Sequence, residues 1–181
     1  MITAYTDGGA RGNPGPAGYG VHVVDEDGAT LAELVGPLGH ATNNVAEYSG
    51  LIAALRWALA QGQPRLLVRM DSELVIKQMR GEYKVKHAGL QALHREATAL
   101  IAKLERVTFE HVRREQNAVA DRLSNAAMDV VEGKEPTPPD APAPTEPLAP
   151  ARIAIPRPAR PASARVAPLP TTPGRFSFDD D

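Results

Sequence analysis

Tyr5-Thr6-Asp7-Gly8-Gly9-Ala10-Arg11-Gly12-Asn13-Pro14-Gly15-Pro16-Ala17-Gly18-Tyr19-Gly20 is the stretch from which the rest of the chain is read. Residues 1–6 set Ile2, Ala4 and Thr6 against Thr3 and Tyr5, the period of a half-buried strand. Asp7 stands at the expected C-terminal end of that strand, before a segment to Gly18 that holds five glycines and two prolines. A carboxylate so placed is held by a rigid element yet faces an open crevice. Glycines beside it allow positive φ and the close approach of a bulky ligand. An isolated Asp-Gly pair reads as an ordinary turn, but three later carboxylates alter that reading.

Composition changes once along the 181 residues. Only Pro14, Pro16, Pro37 and Pro64 of the seventeen prolines fall in residues 1–132; the other thirteen lie in 133–181. About 130 residues bury roughly two-thirds of their unfolded surface around one core, so 1–132 is expected to fold as a domain. The Pro-Ala-rich remainder has few large apolar residues to offset its ordering entropy and is expected to be a disordered tail with an acidic end. A formal charge of −2 argues mildly against a nucleic-acid binder, although a cluster of metal-holding acids would mask a basic track elsewhere. The lack of cysteine removes disulfides, thiolate chemistry and cysteine-ligated zinc. With no basic region followed by an apolar run at its start, and no apolar stretch near about 18 residues, the chain is expected to be cytoplasmic and free of membranes.

In chain order, 19–24 and 31–35 read as strands joined by the turn Asp25-Glu26-Asp27-Gly28, and 36–42 as a loop. Asn43-Asn44 offers an N-cap to a helix in which Val45, Tyr48, Leu51, Ile52, Leu55 and Leu59 recur at helical spacing up to Gly62. Residues 65–70 form an apolar strand that ends at a second aspartate, Asp71. Ser72 caps a short helix over 73–79, and Leu90, Leu93, Ala97, Leu100, Ile101 and Leu104 mark a longer one. A strand over 107–112, a turn over 113–116 and a helix from Asn117 to Val130 complete the order β-β-β-α-β-α-α-β-α. That order fits an α/β fold, a mixed five-stranded sheet flanked by helices.

In open α/β sheets, ligands bind beyond the carboxyl ends of the strands. Asp7 and Asp71 are expected there, with Glu47 in the first turn of a helix starting on that side and Asp121 one turn into the last helix. Singly, each acid has an ordinary explanation: Glu47 complements a helix dipole, Asp71 caps a helix, and Asp121 beside Arg122 belongs to a solvated face. Together, four converging carboxylates would repel one another unless divalent cations balanced them. An all-oxygen donor set selects Mg²⁺ or Mn²⁺ over zinc. Two such ions suit phosphodiester hydrolysis, one activating water and the other stabilising the leaving oxygen.

The residues flanking these acids match one pattern. Tyr5-Thr6-Asp7-Gly8-Gly9 with Arg11-Gly12-Asn13-Pro14-Gly15, Thr42-Asn43-Asn44-Val45-Ala46-Glu47, Asp71-Ser72 followed by Val75, and Asn117 with Asp121 resemble the type 1 ribonuclease H family. Members of that family cut the RNA strand of RNA–DNA hybrids, and the likeness runs in order over residues 1 to 130. The resemblance implies a ribonuclease H-like fold and sequence-independent hydrolysis with two Mg²⁺ ions, or Mn²⁺ in their place, held by Asp7, Glu47, Asp71 and Asp121 when substrate is bound. It also implies that Asn13, Asn43 and Asn44 lie along RNA 2′-hydroxyls, a task for side chains that both donate and accept. Thr42 would contact a phosphate of the DNA strand, and Arg114 and Asn117 would add substrate contacts.

Two departures stand out. Many members place a histidine before the last helix, but Arg113-Arg114-Glu115-Gln116 has none; Arg114 matches a short, arginine-bearing form of that turn. His111, earlier in the strand, reads as a packed or exposed strand residue. Residues 81–88 hold only Tyr83, Lys84, Lys86 and His87 where larger relatives carry a basic, tryptophan-containing protrusion, and Trp57 is expected in the core. Hybrid binding is therefore expected to be weak and steeply salt-dependent, by a monomer. The tail's arginines (Arg152, Arg157, Arg160, Arg165) and the segment Gly174-Arg175-Phe176-Ser177-Phe178 leave a docking role for a protein partner open beside an inert, solvated one. Two other functions compete. Another metal nuclease of the same architecture has no use for Asn13, Asn43 and Asn44, and a catalytically silent hybrid-binding module is expected to lose an acid.

Overall fold

Five strands, β1 (Ile2–Ala10), β2 (Gly15–Val24), β3 (Thr30–Ala41), β4 (Arg65–Met70) and β5 (Arg106–His111), form one sheet in the order β3-β2-β1-β4-β5. The β3-β2-β1 meander is antiparallel, whereas β4 and β5 join in parallel, giving the expected mixed sheet. Helices α1 (Asn43–Ala60), α2 (Glu73–Met79), α3 (Ala88–Ile101) and α4 (Ala118–Val131) follow in the expected places, with a 3₁₀ turn over Arg114–Asn117. The structure, a computed structural model, describes residues 1–134. The expectations of a disordered tail, its spaced arginines and its aromatic, acidic end lie outside the described residues. Among the described residues no helix is long and apolar enough to cross a membrane.

Alternation along β1 decides what lies on each face. Ile2, Ala4 and Thr6 point into a core with Val21, Val23, Leu66, Val68 and Met70, and α1 seals it with the fully buried Tyr48, Leu51 and Leu55. Each valine, leucine, isoleucine or methionine among them contributes about 1.5–3 kcal/mol by leaving water. α3 packs behind α1 through Leu90 and Ala97, and Trp57 is partly buried against the same core. α4 lies across β1, β2 and β3 on the other face.

Two glycines admit these helices on either side of Asp7. A Cβ at Gly8 would lie 2.2 Å from the carbonyl carbon of Ala46 in α1, and one at Gly20, paired with Asp7, would lie 2.4 Å from the Ala120 carbonyl oxygen in α4. Gly20→Ala must lift α4 off the sheet and is expected to cost about 3 kcal/mol, the upper end for overpacking, or about 10 °C in a thermal melt. A shift below about 2 °C would mean that α4 slides freely over β2.

Three local expectations are corrected. β1 does not stop at Asp7: its parallel ladder with β4 ends at the Thr6/Met70 pair, while its antiparallel ladder with β2 continues to Ala10/Ala17. Asp7 thus sits inside a strand, where one neighbour has run out. Residues 36–41 are not a loop but the second half of β3, an edge strand in which Pro37 has no ladder hydrogen bond to forfeit on its outer side. The cap of α1 is Thr42, whose Oγ1 accepts from the Val45 N–H at 3.3 Å. Asn43 and Asn44 are therefore the first helical residues, and Glu47 falls in the second turn.

Candidate active site

Where β4 ends, a crevice of about 430 Å³ opens beside β1, lined by Asp7, Asn43, Glu47, Asp71, Arg114 and Asp121 among others. One carboxylate oxygen each of Asp7, Glu47 and Asp71 lie within 4.8 Å of one another. Asp7 comes from the interior of β1, Glu47 from α1, and Asp71 from the joint between β4 and α2. Tyr48 next to Glu47 donates its hydroxyl to Gln78 Oε1 in α2 at 2.7 Å, a buried bond that ties the helix carrying Glu47 to the one following Asp71. Burial pushes the Tyr48 phenol up to about 12, so it stays a neutral donor.

Three ionised carboxylates at this spacing repel by about 3.5 kcal/mol per pair at an effective dielectric near 20. Burial raises the Asp7 carboxyl to about 6, with Asp71 and Asp121 adding to the rise and the Ser124 hydroxyl and Arg114 opposing it. Glu47 is held well above the usual carboxylate range, first by burial and then by Asp7 and Asp71, although the Gly8 N–H donates to it. Glu47 Oε2 and Asp71 Oδ1 are buried and accept from no donor among the described residues. Crowded acids with orphaned oxygens fit a divalent cation: acceptor-only, all-oxygen, and balanced when a positive charge sits among them.

Asp121 lines the same crevice in the first turn of α4 but stands apart from the tight group of three. Its Oδ1 accepts from Arg114 Nε at 3.0 Å and Nη2 at 2.7 Å. Arg114, expected on the substrate, lines the same crevice and holds this acid. Asn117, by contrast, is 1% exposed, and its Nδ2 donates to the Thr6 carbonyl at 2.9 Å. It is out of a substrate's reach and anchors the start of α4 beside Asp7.

The other expected substrate residues gather at the rim. Asn43 and Asn44 line the crevice; Asn43 Oδ1 accepts from the Ala10 N–H at 2.7 Å, and Asn13 Oδ1 accepts from the Asn43 N–H at 3.3 Å. Thr42 is engaged as the α1 cap. His111 is an exposed strand residue whose Nε2 lies 3.2 Å from the Asp71 carbonyl. Within 81–88, Tyr83 is half exposed under Lys77, whose Nζ stands 5.0 Å from the ring centroid. Sequence reasoning missed Ser124, Asn125 and Met128, which line the crevice from α4. Their spacing of three, four and seven residues from Asp121 was the available signal.

A family model described as reverse transcriptase-like matches residues 5–127. The bifunctional protein Rv2228c of Mycobacterium tuberculosis is 51% identical over 129 residues, which cover 71% of this chain and 35% of the relative. The chain therefore spans about a third of that protein's length. Ribonuclease HI of Halobacterium salinarum is 41% identical over 128 residues, 71% of this chain and 64% of the relative. Among solved structures, LC11-RNase H1 in complex with an RNA/DNA hybrid superposes with a TM-score of 0.69 at 45% identity, over 73% of this chain and 99% of that one. A family match that runs from Tyr5 in β1 into α4, joined to shared fold and sequence with ribonucleases HI, places the chain in the type 1 ribonuclease H family.

Proposed function

We propose that this chain hydrolyses the RNA strand of RNA–DNA hybrids, without regard to base sequence, at a centre where Asp7, Glu47, Asp71 and Asp121 hold two divalent cations. The reading rests above all on the orphaned buried oxygens Glu47 Oε2 and Asp71 Oδ1 within the three-carboxylate group. Mg²⁺, or Mn²⁺ in its place, supplies an activated water and neutralises the charge on the leaving oxygen when bound. The chain's own part is to present acceptor oxygens and to exclude competing donors. Asp121 joins the other three once Arg114 turns from it toward the incoming phosphates.

Asn43 carries the discrimination for RNA. With its Oδ1 taken by the Ala10 N–H, its amino group remains to donate to a ribose hydroxyl at the rim. Such contacts read the sugar and not the base. In Mg²⁺, the RNA of a hybrid is expected to be cut while duplex DNA of the same sequence is spared. Asn43→Ala is expected to weaken hybrid binding by about 10-fold, one lost hydrogen bond, with a much smaller effect on duplex DNA. Equal cleavage of duplex DNA would favour a general metal nuclease, and hybrid binding without cleavage would favour a silent binding module.

A further inference from the structure

Ser124 lies on α4 one turn beyond Asp121 and is 1% exposed. Its hydroxyl donates to Asp7 Oδ2 and also lies 2.9 Å from the Asp121 carbonyl oxygen. A hydroxyl has one proton, and the ionised carboxylate is the stronger acceptor. Among the described residues no other side chain donates to the Asp7 carboxylate. The contact exists because Gly20 lets α4 press against the strand row that holds Asp7.

We propose that Ser124 is a positioning residue of the metal centre: its hydroxyl holds Asp7 Oδ2 and leaves the other oxygen of that carboxylate turned to the cation. This inference rests on the proposed metal-dependent reading of the site. A carboxylate on a short side chain still rotates about its terminal bond, and a single fixed donor removes that freedom before the ion arrives. The same bond fastens the helix of Asp121 to the strand of Asp7, so the two acids keep their spacing. Asn117 serves as the second fastener, from the start of α4 to the Thr6 carbonyl.

A purely structural hydroxyl would do no more than bond back to the Asp121 carbonyl, as serines within helices commonly do. The two roles separate in a calorimetric titration of Mg²⁺ and Mn²⁺ into the full chain without nucleic acid. Ser124→Ala is expected to weaken cation binding by about 10-fold, the lower end for partners that orient metal ligands, while the metal-free melting temperature falls by only about 5 °C, the cost of one unmade hydrogen bond to a buried carboxylate. Ser124→Cys keeps the volume but offers only a feeble donor, and is expected to weaken binding likewise, so that a packing defect is told apart from a lost hydrogen bond. Variants that bind the cations as tightly as the wild type would overturn the proposal, as would a loss that follows the melting temperature instead of the hydroxyl. A wild type that binds neither ion and also cuts a hybrid equally well in chelator and in Mg²⁺ refutes the metal reading itself, which is a different result from variants that match a binding wild type.

Discussion

Asp7→Asn is expected to reduce cleavage of an RNA–DNA hybrid by about 10³-fold or more, since a lost metal ligand removes several kcal/mol of transition-state stabilisation. The same substitution is expected to make the metal-free protein more stable. Asp7 is 7% exposed, stands within 4.8 Å of two further carboxylates, and is held in its ionised form against both burial and repulsion. An amide of the same shape removes the charge and still accepts from Ser124. Activity and stability thus move in opposite directions at one residue, the pattern of a site strained for function. Multiple-turnover cleavage and a thermal melt in chelator, on the same preparation, read both. An Asp7→Asn variant that is inactive and also less stable would mean that Asp7 is a structural residue.

In chelator, the melting temperature is expected to rise as pH falls from 7.5 to 5. The Asp7 carboxyl titrates at about 6 in the fold against an ordinary value of 3.8, so the folded state takes up its proton first and gains stability through that window. The full difference corresponds to about 3 kcal/mol; about half of it is gained by pH 5, or about 5 °C for a domain of this size. Glu47, raised by burial and by Asp7 and Asp71, adds in the same direction. Glu73 and Glu132 are lowered by Lys77 and by Lys134 and Arg11, and their contributions fade on further acidification, so the comparison belongs above pH 5. Saturating Mg²⁺ is expected to invert the trend, because a cation takes the ionised carboxylates and stabilises more at pH 7.5 than at pH 5. Identical pH profiles for the wild type and Asp7→Asn would mean that the trend does not arise from the Asp7 carboxyl.

The order of elements was legible because periodicity switches cleanly between two and 3.6 and because Asp7, Glu47, Asp71 and Asp121 each carry recognisable neighbours. What stayed hidden depends on partners distant in sequence. Gly8-Gly9-Ala10 has the composition of a loop, yet it is strand, because β2 offers a pairing edge as far as Ala17. Residues 36–41 hold two glycines and a proline and still pair with β2, since an edge strand tolerates what a central one does not. Asn117 reads as a cap and a substrate contact, but the packing of α4 turns it inward onto Thr6. Ser124 is not legible in the sequence, since a serine within a helix is ordinary; only the glycine-lined seat of α4 on β2 gives it Asp7 for a partner. The division of the four acids into a close group of three and one held by Arg114 likewise needed side-chain geometry.

The most direct test is cleavage by the full chain of an RNA–DNA hybrid labelled on each strand in turn, with Mg²⁺ titrated from zero in the presence of chelator. Shortening of the RNA strand alone, absent in chelator and rising with Mg²⁺, is the expected result. Cleavage that persists in chelator, scission of the DNA strand, or intact RNA in both Mg²⁺ and Mn²⁺ on a hybrid the chain has bound would contradict it.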